Sequence, residues 1–118
     1  MINQLHIEKV HLALGPTDLR KSVEGLALIV QHILKMDPFS THLFAFCNRR
    51  QDKIKILVWD NNGFWLHYKR LEKGHFKWPS KEKGLSLSLS EREFRWLLDG
   101  MSINQDSAHK PALERVLM

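Results

Sequence analysis

Two alternating runs, Lys53–Asp60 (KIKILVWD) and Phe64–Leu71 (FWLHYKRL), are separated by Asn61, Asn62 and Gly63, and this spacing constrains the fold more than any other feature of the chain. Strand side chains alternate between the two faces of a sheet, so one residue more or less in a hairpin loop exchanges the faces of one strand relative to its partner. The spacers Asn61-Asn62-Gly63 and Glu72-Lys73-Gly74 are both three residues ending in glycine, the pattern of a type I turn followed by a left-handed residue. Read with such loops, Ile54, Ile56 and Val58 share a core face with Phe64, Leu66, Tyr68, Phe76 and Trp78. The opposite face carries Lys53, Lys55, Leu57, Trp59, Trp65, His67, Lys69, His75 and Lys77. A two-residue loop at Asn62-Gly63 would set His67 and Lys69 beside Ile54, Ile56 and Val58. Charged groups among apolar ones are costly, so the three-residue reading is preferred.

The rest of the chain is read around this hairpin. Ile7–Leu14 (IEKVHLAL) reads as a first strand, closed by Gly15-Pro16. A long helix should follow, capped by Thr17 or Asp18, with Val23, Leu26, Ala27, Val30, Ile33 and Leu34 at helical spacing and Asp37-Pro38 ending it. From His42 the period falls to two, and HLFAFC, KIKILVWD, FWLHYKRL and HFKWP read as four consecutive strands. A short strand, LSLSLS, precedes a second helix that opens on a capping box of Ser90 and Glu93 and ends at Gly100. The expected fold is α+β: an antiparallel meander with a long N-terminal helix packed on the sheet and a short C-terminal helix. Residues 1–100 make one domain, and 101–118 a tail in which PALERVLM reads as a short helix or a frayed end.

Composition narrows the function classes. The 18 Lys and Arg against 13 Asp and Glu give a formal charge of +5, a balance that leans towards nucleic acid without deciding it. Cys47 is the only cysteine, which rules out an intrachain disulfide and a cysteine metal cluster and fits a reducing compartment. The start MINQLHIEKVHLALG has no secretory pattern, and GLALIVQHIL is too short to cross a bilayer, so a cytoplasmic protein is expected.

The basic and aromatic face is the candidate DNA-binding site: Lys53, Lys55, Trp59, Trp65, His67, Lys69 and Lys77, with Arg49 and Arg50 adding phosphate contacts from a turn. Lys55, Lys69 and Lys77 would lie abreast on three strands, a repulsive arrangement that a bound anion would relieve and that solvated lysines would also tolerate. Thr17, Asp18, Arg20 and Lys21 form a second candidate at the helix start, either a phosphate contact or a structural pairing of Arg20 with Asp18 or Glu24; the structural role is preferred, because the helix dipole disfavours cations there. Asp18, Asp52, Asp60 and Glu72 are the carboxylates to consider for two-metal chemistry, and each reads first as a cap or turn residue. No histidine pair has zinc spacing, no phosphate loop occurs, and Cys47 has no Cys–His–Asn setting. No catalytic residue, metal or cofactor is expected.

The segments GPTDLRKSVEGLALIVQ and DPFSTHLFAFCNRRQDKIKILVWDNNGFWLHYKRLEKGHFKWP resemble the TnpB accessory proteins, products of the second open reading frame of bacterial insertion sequences of the IS-sixty-six type. The likeness covers about residues 8 to 100. It rests on Gly15, Pro16, Thr17, Asp18, Arg20 and Lys21; on Asn48, Arg49 and Arg50; on Trp59, Asp60, Gly63, Phe64 and Trp65; and on Leu71, Glu72, Gly74, Phe76, Trp78 and Pro79. Leu19 and Ser22 stand where methionine and glycine are usual. The resemblance implies a part in DNA transposition beside a separate transposase that carries the nuclease chemistry. Two expectations follow: a non-catalytic accessory protein binding DNA, at the element ends or without specificity, or a module that docks on the element-encoded transposase through Trp59 and Trp65.

Overall fold

A computed structural model describes residues 9–103. Five strands form one mixed sheet: β1 (Val10–Ala13), β2 (Leu43–Cys47), β3 (Lys53–Asp60), β4 (Gly63–Arg70) and β5 (Ser86–Leu89), in the order β4-β3-β2-β1-β5. β1 runs parallel to β2, with Val10 opposite Leu43, and antiparallel to β5, with Val10 opposite Leu89. The antiparallel meander is therefore limited to β2, β3 and β4. The run HFKWP is not a strand; it is tied to the turn before β3, with Phe76 N–H donating to the Gln51 carbonyl at 2.7 Å, and delivers buried Phe76 and Trp78 to the core.

The expected long N-terminal helix is also corrected. α1 (Val23–Leu28) runs on into a π turn, Ile29–Ile33, and the two together span 11 residues. Asp18 does not cap it, because its carboxylate accepts the Arg20 backbone N–H at 3.0 Å and its carbonyl accepts Lys21 N–H at 3.2 Å, closing a turn where the first helical turn was expected. Ser22 holds the N-cap position without a side-chain hydrogen bond. Lys35 takes a left-handed φ of 58°, which ends the helix before Asp37-Pro38. The second helix, α2 (Glu91–Leu98), is as expected: the Ser90 hydroxyl accepts Glu93 N–H at 3.1 Å and the Glu93 carboxylate accepts Ser90 N–H at 2.9 Å. Residues 104–118, with the PALERVLM run expected to be a short helix or a frayed end, lie outside the described residues. No helix among those described is long and apolar enough to cross a membrane.

Both sheet faces are covered. On one, Val10, Leu12, Leu43, Ala45, Cys47, Ile54, Ile56 and Val58 pack under Phe76, Trp78 and the Phe94 and Leu97 side chains of α2. On the other, Phe44, Phe46 and Leu57 pack under Leu26, Val30 and Leu34 of the α1 region.

The β3–β4 hairpin departs from the expected register. Asp60 pairs with Gly63, so the loop is two residues, Asn61-Asn62, and Asn61 supplies the left-handed conformation (φ 58°) expected of Gly63. Ile54, Ile56 and Val58 consequently lie opposite Lys69, His67 and Trp65, while Lys55, Leu57 and Trp59 lie opposite Tyr68, Leu66 and Phe64. The arrangement rejected on burial grounds is thus the one adopted. It is tolerated because β4 is an edge strand: exposed Lys69 reaches past the core to donate to the Leu98 carbonyl at the C-terminal end of α2 at 2.9 Å. Burial lowers the His67 pKa, so its ring sits there neutral. In return Phe64 and Leu66 join Leu57 beneath α1.

Candidate nucleic-acid interface

The two basic motifs meet at one end of the sheet. The Thr17 N–H donates to the carbonyl of Cys47, the last residue of β2, at 2.8 Å, which fastens the Gly15–Lys21 segment beside the turn from Asn48 to Asp52. Asn48 shapes that turn. Its Oδ1 accepts the backbone N–H groups of Asp52 (3.1 Å) and Lys53 (3.0 Å), and its Nδ2 donates to Asp52 Oδ1 (2.8 Å). This is the local backbone substitution for which Asn is suited, and it turns Arg49 and Arg50 out into solvent.

Three adjoining cavities surround Asn48. One of about 380 Å³ lies between Pro16–Leu19 and Asn48–Arg50. A second, about 490 Å³, is lined by Asp18, Leu19, Arg20, Asn48, Lys53, Lys55 and Tyr68. A third, about 190 Å³, runs from Asn48 and Arg49 to Trp78, Pro79 and Lys81. Lys55 Nζ donates to the Lys21 carbonyl at 3.0 Å, holding the helix start over β3, and Gly25 permits the close approach: a Cβ there would lie 3.1 Å from that of Lys21.

Cations outnumber carboxylates in the lining. Asp18, the carboxylate shared by the two larger cavities, is matched by Arg20, whose Nε and Nη2 donate to Oδ1 and Oδ2 at 3.0 and 2.7 Å. These hydrogen bonds hold the Asp18 carboxyl well below the usual range, and the Asn48 amide lowers that of Asp52. The preferred structural reading of Arg20 agrees with this geometry. The clefts thus gather Arg49, Arg50, Lys53 and Lys55 with Thr17, Asp18 and Arg20, while Lys21 contributes its main chain.

The remaining candidates lie elsewhere, so the row of Lys55, Lys69 and Lys77 does not exist. Trp59, at the far end of β3, packs edge-on against Phe39 (5.0 Å) and Phe64 (5.1 Å). Trp65 and His67 stack at 6.0 Å on the opposite face, the one Lys69 shares. Lys77 is exposed between buried Phe76 and Trp78, outside any strand. Tyr68, assigned to the core from the sequence, instead opens into the cleft and is 55% exposed. The tolerance of Asn61 for left-handed backbone is the signal that would have revealed it.

The four candidate carboxylates are separately engaged. Asp60 accepts the Trp65 indole N–H at 2.9 Å and Glu72 pairs with Arg70 at 3.1 Å, away from Asp18 and Asp52. Among the described residues no three His, Cys, Asp or Glu are grouped to hold a metal ion. The Cys47 thiol is buried and its pKa pushed up to about 12 by desolvation, which outweighs the hydrogen bond from the Asn48 backbone.

Comparison with known proteins agrees with the motifs. The sequence profile of the IS66 Orf2-like proteins matches residues 8–108. Two uncharacterized proteins of Sinorhizobium fredii (strain NBRC 101917 / NGR234) are similar: y4hO, 39% identical over 93 residues that span 79% of this chain and 80% of the relative, and y4jC, 33% identical over 79% of each. No solved structure matches the chain. On the breadth of the profile match and the shared motifs, the chain belongs to the IS66 Orf2-like family, whose members are associated with insertion sequences.

Proposed function

We propose that this chain is a non-catalytic accessory protein in the transposition of an insertion sequence, and that it binds DNA through the cleft between the helix start and the Asn48–Asp52 turn. The observation that carries the reading is the convergence of Arg49, Arg50, Lys53 and Lys55 on adjoining cavities whose one shared acidic side chain, Asp18, is already neutralised by Arg20. Cations held on a turn and a strand contact phosphates at little conformational cost and release counterions from DNA.

The test is a salt titration of binding to element-end and unrelated duplexes, followed by fluorescence anisotropy. Affinity should fall steeply with salt for both, and the double change Arg49→Ala, Arg50→Ala should weaken binding and flatten the slope by about one per lost phosphate contact. Unchanged affinity and slope in that variant would remove DNA from this cleft.

A second reading, docking on the transposase, is favoured by a different observation. Leu28, Ile33 and Phe39, on α1, its π turn and the loop that follows, are each more than half exposed, Phe39 while also packing on Trp59 and Phe64, and Trp65 is 41% exposed on β4. Trp59 is partly buried against Phe39 and Phe64, which leaves Trp65 the more exposed of the two expected anchors. Capture of the transposase that survives nuclease treatment and is lost in Leu28→Ser, Ile33→Ser would establish this reading; capture abolished by nuclease would eliminate it.

A further inference from the structure

We propose that the 490 Å³ cleft is a stacking subsite for single-stranded DNA, in which the Tyr68 ring carries a base and Lys53 and Lys55 bracket its phosphates. This rests on the reading that the cleft binds DNA and specifies the form of the DNA.

Tyr68 stands directly opposite Lys55 on the neighbouring strand, and Lys53 lies two residues further along the same face, about 7 Å away at the strand repeat. The ring belongs to the sheet face that α1 covers, where Leu57 and Leu66 are packed away. Cover stops short of Tyr68 because the chain spends residues 18–21 on a turn held by Asp18 before α1 begins at Val23. A large apolar ring thus forms one wall of a cleft whose other walls carry Arg20, Lys53 and Lys55. A hydrophobic core would bury such a ring, and a solvated lysine surface would lack it.

The shape selects the form of nucleic acid. A duplex keeps its bases stacked inward and presents a convex backbone, so it can lie across the rim on Arg49 and Arg50 but cannot bring a base to Tyr68. An unpaired strand exposes base faces, and aromatic platforms set among cations take them with little regard to sequence. A cleft of a few hundred Å³ is the size that admits a single small group rather than a helix. Asp18 does not repel the strand, since Arg20 already pairs with it.

The test compares a fluorescein-labelled dodecathymidylate, the same length of abasic backbone, and a duplex, across wild type, Tyr68→Ala, Tyr68→Leu, Tyr68→Phe and Tyr68→Trp. Expected results are tighter binding of the single strand than of the duplex, and a loss of about tenfold for the single strand in Tyr68→Ala. The loss should be under twofold for the duplex and the abasic backbone. Tyr68→Leu, which keeps apolar cover on the strand and removes the ring, should reproduce the loss, while Tyr68→Phe and Tyr68→Trp retain binding. If single strand and duplex respond alike to every Tyr68 variant, the stacking subsite is overturned; an effect of Arg49→Ala, Arg50→Ala on the duplex would then leave DNA binding by the cleft standing. If wild type binds none of the three probes, both readings fall together.

Discussion

The two faces of the sheet are built from similar strands and finished differently. Under α2 the face is closed over β1, β2 and β3: Phe94 and Leu97 from the helix and Phe76 and Trp78 from the segment after β4 seal it, and the Trp78 indole N–H donates to the Ala13 carbonyl at 2.9 Å. Under α1 the cover is partial. Leu26, Val30 and Leu34 protect Phe44, Phe46 and Leu57, but at the Lys53–Lys55 end the helix has not yet begun and the sheet opens into the basic cleft. One face supplies cohesion and the other keeps its chemistry accessible. A domain of this size that closed both faces would gain stability and lose this concave basic surface.

Substitutions on the two faces should therefore separate stability from binding. The largest effect is expected from Phe94→Ala, which empties a buried site under α2 and should cost about 3–5 kcal/mol in urea denaturation. At temperatures where the variant is still folded, its DNA affinity should match wild type. Arg49→Ala with Arg50→Ala should do the reverse, lowering affinity about tenfold or more in 100 mM salt while the unfolding midpoint stays put. The control is Lys69→Ala with Lys77→Ala, equal in charge lost but outside the cleft, for which anisotropy should register little change. Should the two pairs weaken binding equally, total charge and not the cleft governs the interaction.

Smaller effects sharpen the account of both faces. Ser90→Ala removes half of the capping box and should cost about 1 kcal/mol, read from the shift in denaturation midpoint. Acid should act through His11, which is buried on β1 with Nδ1 at 2.9 Å from the Ser88 hydroxyl and Nε2 at 2.8 Å from His42 Nδ1. Burial first, then His42 and Lys9, lower its pKa below the ordinary 6.5. The unfolded chain then takes up the proton before the folded one does, so stability is full above pH 6.5 and declines as the pH falls through it. The decline should shrink in His11→Gln when unfolding is measured from pH 7.5 to 5.5. Last, the Cys47 thiol, pushed up to about 12, should resist alkylation at pH 8 until the protein is unfolded.

These contrasts also mark what the sequence could reveal. Strand existence was legible where alternation was strong, in Lys53–Asp60 and Ser86–Leu89, and so was the Ser90–Glu93 box, because each rests on contacts within a few residues. The sheet order was not, since parallel pairing of Val10 with Leu43 is decided by packing over a distance that no local pattern encodes. The helix is shorter than its apolar spacing suggests because Asp18 reads equally as a cap or as the acceptor of a turn, and Arg20 decides between them. The site suffered most from a single residue. Placing the left-handed position at Gly63 and not Asn61 reversed β4, sent Tyr68 into the core, and joined Lys69 to Lys55. The motifs that carry the family resemblance were legible throughout, yet the meeting of Thr17 with Cys47, which brings two of them together, was not.

The order of the strands bears on how the molecule is made. β1 is an interior strand, yet one of its two neighbours is β5, and His11 waits for Ser88, 77 residues further along the chain. During synthesis β1 can pair with β2 early, but its other edge stays bare until Ser86–Leu89 emerges. A half-sheet with an unprotected apolar edge is the species most prone to pair with a neighbouring nascent chain. The short LSLSLS run near the end of the domain is thus the clasp whose arrival ends that exposure.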